Sequence, residues 1–174
     1  MKIVKFIILV LILVVLQYSA GNFLQIRLAI PNLFLIGVFC LFFMEFGNEV
    51  ILVVIFGGLL LDLLNSTNFG SNFISLAIIV GGLQAAQKYF EISKIPIFIL
   101  LIFPASIICD VVYFFDNYLF GIHLQLFDFW KIILFTAIYN MILILVIFPI
   151  VIFVNRKLFP NQNKEYSLEL MERT

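Results

Sequence analysis

Ile, Leu, Val and Phe do not alternate with polar residues along this chain; they run on, and charges interrupt them only at intervals. The charge-free stretches are 6–26, 28–44, 50–61, 63–87, 95–109 and 132–155. A half-buried or lipid-facing strand would show a period of two, so continuous runs predict helices. About 20 residues, rising about 1.5 Å each, carry a helix across about 30 Å of hydrocarbon. Allowing Asp62 and Asp110 inside spans gives six expected helices, near 4–21, 31–46, 49–66, 71–89, 95–115 and 129–155. The breaks carry turn chemistry: Gly21-Asn22, Pro31 opening the second helix, Glu45 to Glu49, Asn65 to Gly70, and Asp116-Asn117. The short break from Glu45 to Glu49 predicts an antiparallel hairpin of helices two and three.

Composition turns this helical pattern into a membrane bundle. Hydrophobic residues make up 64% of the 174 positions and charged ones 11%, with a mean hydropathy of +1.22. A soluble domain is about 45–50% apolar and about 25% charged, so lipid must take the place of the missing charged surface. Disorder needs low hydrophobicity, collagen a glycine period, and a disulfide scaffold more cysteines than Cys40 and Cys109. A formal net charge of zero, with no basic stripe, excludes nucleic-acid binding.

With a cytoplasmic amino terminus, the inner segments hold Lys2, Lys5, Lys88, Lys94, Arg156, Lys157, Lys164 and Arg173, and the outer ones only Arg27 and Lys131. That bias obeys the positive-inside rule and puts both termini in the cytoplasm. The expected organisation is a polytopic membrane domain over 1–155 and a short cytoplasmic tail over 156–174. Lys2 and Lys5 before an apolar run also describe a secretory signal, but the run continues from Phe6 to Ala20, and retention as a span is expected. No internal repeat is visible, which leaves an inverted-repeat transporter without support.

Chemistry in such a chain is sought among polar residues inside spans. A carboxylate at the centre of a membrane helix costs about 2.5–3.5 kcal/mol unless solvated or paired, which singles out Asp62 and Asp110. Asp62 shares a helical face with Gly58, Asn65 and Ser66. It either caps or hydrogen-bonds the adjacent outer loop or makes a recognition contact. Asp110 shares its side with Ser106, Tyr113 and Asn117, and Asn140 with Thr136 adds polar groups in the sixth helix; all are expected to act as interhelical glue. A proton or ion path finds no carboxylate chain across the membrane to support it. Ala77, Gly81 and Ala85, with Gly82 and Ala86 beside them, leave one face of the fourth helix nearly bare, and Gly57-Gly58 flattens the third. Close packing is expected there, from within the chain or from a partner. Pro104 and Pro149 should kink helices five and six. His123 between Asp116 and Asp128 lacks the constellation of a metal site, and no nucleophile, Walker or HExxH motif occurs. Neither an enzyme nor a cofactor or metal is expected.

Pro31-Asn32 opening a helix, the string Gly57-Gly-Leu-Leu-Leu-Asp62-Leu-Leu, and Asn68-Phe-Gly70 opening the next span together resemble the rod-shape-determining MreD family. Length, the near-absence of soluble parts and basic cytoplasmic ends fit that family across nearly the whole chain. One departure is Asn32, where the family more often has an acidic residue. The resemblance implies a non-catalytic scaffold in the bacterial inner membrane, serving cell shape and peptidoglycan synthesis in the rod complex. Its implied partners are MreC and, through it, MreB, RodA and a penicillin-binding transpeptidase. The family also looks like a relative of the six-helix S components of energy-coupling-factor vitamin transporters. A substrate-binding subunit of that kind is the alternative, with Tyr113, Tyr118 and His123 near a possible lid. Fold kinship alone does not transfer function.

Overall fold

The computed structural model describes residues 2–25, 29–44, 48–65, 70–87, 95–119 and 126–158. Its regular elements are all helices: α1 (Lys2–Phe23), α2 (Leu33–Phe43), α3 (Asn48–Leu64), α4 (Ser71–Gln87), α5 (Ile95–Leu119) and α6 (Leu126–Leu158). The order and number match the apolar runs. The lengths do not match evenly. Within α5, Pro96–Leu119, and within α6, Phe129–Phe153, are long and apolar enough to cross a membrane. Pro104 and Pro149 both lie inside unbroken helices, on exposed positions.

Helix α2 is the shortest, with 11 residues, or about 16 Å of rise. Expected over 31–46, it starts only at Leu33 because Asn32 acts as its N-cap, its side chain accepting from the Leu35 amide at 2.9 Å. Proline at 31 has no N–H to contribute and stays outside the helix. Every residue from Phe34 to Phe42 except Gly37 is buried. Helix α2 is the central rod of the bundle, packed against α1, α3, α5 and α6. The other contacts follow the chain around it, α1 with α3, α3 with α4, α4 with α5, and α5 with α6.

Aromatic rings lock one end of this core. Phe98 of α5 lies 5.4 Å from Phe39 and 4.8 Å from Phe43 of α2, and Phe148 of α6 lies 4.8 Å from Phe43. At the opposite end of the α5–α6 pair, Phe114 stacks on Phe129 at 3.8 Å. The outward surface is apolar, including Leu11, Ile12 and Val15 of α1, Phe56 of α3, Leu100 of α5, and Phe135, Ile142 and Val146 of α6.

Candidate functional site

Two clusters of polar side chains lie inside the bundle. The first joins α3 to α4. Asp62 is completely buried, yet each carboxylate oxygen is engaged. Its Oδ1 accepts from the backbone amide and side-chain amide of Asn72, both at 2.9 Å, and its Oδ2 accepts from the Phe73 amide at 3.0 Å. Asn72 and Phe73 are the second and third residues of α4, whose first-turn amides have no partner within the helix. A carboxylate there meets free donors and the positive end of the helix dipole. Asp62 thus caps α4 from the neighbouring helix.

Glycines make the approach possible. Gly70, with φ +102°, lies just before α4, and its carbonyl accepts from the Ile74 amide at 2.9 Å. A Cβ on Gly58 would lie 2.9 Å from the Cα of Phe73, so the α3 backbone reaches the first turn of α4 only because position 58 has no side chain. Gly57 gives the same room to the ring of Phe34 from α2. At the same end Ser71 donates to Asp116 of α5 at 3.2 Å, and Tyr18 of α1 donates to the Leu64 carbonyl at 2.6 Å.

The second cluster surrounds the start of α2, at mid-length of α5 and α6. Asn140 of α6, fully buried, accepts from the Asn32 amide at 2.9 Å and donates to Ser106 of α5 at 3.0 Å. The Ser106 hydroxyl donates in turn to the Ile102 carbonyl at 2.9 Å. Gln17 of α1 completes the ring, accepting from the Phe34 amide at 3.1 Å and donating to the Pro31 carbonyl at 3.3 Å. Tyr139 donates to the Leu24 carbonyl at 2.8 Å. Two helices, α1 and α6, therefore supply hydrogen bonds to backbone that begins in the middle of the bundle, and α5 holds Asn140 in place through Ser106, which is what buried non-helical backbone requires.

Asn140 acts as the glue expected of it, between α2, α5 and α6. Sequence spacing does not pair Gln17 with Asn32; the one signal is an amide, Gln17, ending an apolar run that begins at Phe6. Asp110 joins neither cluster. Its Oδ2 is buried without a hydrogen-bond partner among the described residues, and the nearby amide of Asn117 donates instead to the Tyr113 carbonyl at 2.9 Å. The small face of α4 departs from same-chain packing: Ala77, Gly81, Gly82 and Ala85 are exposed, and a Cβ on Gly81 or Gly82 would meet nothing within 4 Å. The reason is that α4 turns its Ile79, Val80 and Leu83 side to the core and its small residues away from it. Ser66, Asn68, Phe69, Lys88, Lys94, His123 and the tail beyond Leu158 lie outside the described residues. The chain matches no family model, no curated protein and no solved structure.

Proposed function

We propose that this chain is a multi-pass, non-catalytic scaffold of the bacterial cytoplasmic membrane, with both termini inside, of the kind its resemblance to the MreD family implies. In this reading it binds MreC and, through it, serves the rod complex of MreB, RodA and a penicillin-binding transpeptidase. The observation that carries the scaffold reading is the use made of the interior polar groups. Asp62, Gln17, Ser106 and Asn140 are all engaged in holding helix starts and helix pairs together. The apolar outward surface and the low charge content fit a lipid surround. A scaffold also needs surface for partner helices, and the uncovered Ala77, Gly81 and Ala85 face lets another backbone approach closely.

Co-expression with MreC followed by affinity purification tests the proposal. The wild-type chain should retain MreC, and Gly81→Leu should insert and fold but lose it. Retention of a stoichiometric vitamin, or vitamin uptake conferred together with an energising module, would instead establish the transporter subunit and overturn the scaffold.

A further inference from the structure

Helix α6 turns one side outward along most of its length, and that side changes character near its start. Every exposed side chain from Leu134 to Phe153 is apolar, among them Phe135, Ile142 and Val146. Just before this stripe Trp130 and Lys131 are exposed, and the next charges along the helix are Arg156 and Lys157. At about 1.5 Å per residue the stripe is about 28 Å long, close to the ~30 Å of a hydrocarbon core.

Helix α5 brings a matching group to the same level. Phe114 and Phe129 stack at 3.8 Å, so their neighbours in sequence, Tyr113 of α5 and Trp130 of α6, stand level with each other across the helix pair. Both are exposed, while the buried ring of Phe129 lies 5.6 Å from that of Trp130 and seats the indole against the bundle. Indole and phenol rings join an apolar body to one polar N–H or O–H, and they collect where hydrocarbon meets headgroups. A lysine suits the same boundary, with its methylenes in hydrocarbon and its ammonium in water. Tyr139, the one tyrosine within the length of the stripe, is only half-exposed and donates its hydroxyl to the Leu24 carbonyl at 2.8 Å.

We propose that Tyr113, Trp130 and Lys131 form an interfacial anchor, a surface on the α5–α6 pair that binds the headgroup boundary of one leaflet and fixes the depth of the bundle. The anchor rests on the membrane reading proposed for the chain and adds the layer that each residue meets. Lipid is the occupant because the exposed stripe has the length of one hydrocarbon core and the polar-tipped rings stand at its end, whereas a protein partner imposes no such length. Counted from Leu134, Asn140 lies about 9 Å inside the boundary, and α2, running on for about 16 Å, ends near the opposite face. The anchor thereby sets the ring of Gln17, Asn32 and Asn140 within hydrocarbon, where its hydrogen bonds have no competition from water.

Trp130 is the only tryptophan of the chain, so the fluorescence of the unmodified protein in liposomes reads its depth directly. Lipids brominated near the carbonyl end of the acyl chain should quench it about twofold more strongly than lipids brominated near the methyl end. The Trp130→Phe, Ile142→Trp double variant moves the reporter into the exposed stripe and should show the reverse order. Equal quenching of Trp130 by the two lipids, stronger quenching from the methyl end, or no quenching at all would overturn the anchor. If the double variant is nevertheless quenched from the methyl end, the anchor falls and the membrane reading stands. If neither position is quenched by either lipid, the membrane reading fails and the anchor fails with it.

Discussion

Asp62 illustrates how a charge is kept inside an apolar bundle without a basic partner. Three N–H donors converge on its two oxygens, two of them backbone amides that α4 cannot satisfy by itself. Full burial rules it out as a surface contact for a partner's cation, so of the two roles open from sequence the hydrogen-bonding one fits the geometry. The geometry also alters the expected behaviour of substitutions. Asparagine keeps one acceptor oxygen but turns an N–H₂ group toward either the Asn72 or the Phe73 amide, placing donor against donor. Asp62→Asn should therefore lower stability by about 1–2 kcal/mol, and Asp62→Leu, which leaves the buried donors unsatisfied, by about 2–4 kcal/mol. Thermal or denaturant unfolding in one detergent measures both. A Leu variant as stable as wild type would show that α4 needs no cap from α3.

At the scale of elements, the glycines divide into two kinds that sequence spacing treats alike. Gly58 is a contact point, where an added methyl meets the Phe73 backbone and the α3–α4 pair must move apart. Gly81 faces open space on the far side of α4. Gly58→Ala should cost about 1–3 kcal/mol through overpacking, whereas Gly81→Ala should be neutral or stabilising by about 0.5–1 kcal/mol through its helix propensity. Equal losses in the two variants would contradict the packing described for α4. Existence and order of the helices were legible because each apolar run is bounded by turn residues or charge. The length of α2 was not legible. The charge-free stretch 28–44 suits a full span, and only the hydrogen bonds of Gln17, Asn32 and Asn140, distant from one another in the sequence, reveal where the helix begins. Asp62 stood out as a carboxylate in an apolar run, but its partners lie across a turn whose geometry no local pattern encodes.

For the whole molecule, the consequence of a short α2 is a core helix that begins level with the middle of α5 and α6. If α5 and α6 span the bilayer, the start of α2 lies near mid-depth, because Ser106 and Asn140 lie near the middle of their helices. Backbone there has no water to bond, and the ring of Gln17, Asn32 and Asn140 takes water's place. Under the proposed orientation, with the amino terminus inside, α1 would run outward and α2 would run from mid-depth to the cytoplasmic side. In that proposed orientation, set by the basic residues, the C-terminal ends of α3 and α5 would face outward. The native cysteines do not interfere with a labelling test, since Cys40 and Cys109 are both buried. In intact cells, a cysteine placed at exposed Tyr118, near the end of α5, should react with a membrane-impermeant maleimide. One placed at Lys88, just after α4, should react only once the membrane is permeabilised. The reverse pattern would invert the topology and with it the cytoplasmic assignment of both termini. Labelling of both positions from outside would mean that α4 and α5 do not cross the bilayer between them, and the six-span arrangement would fall.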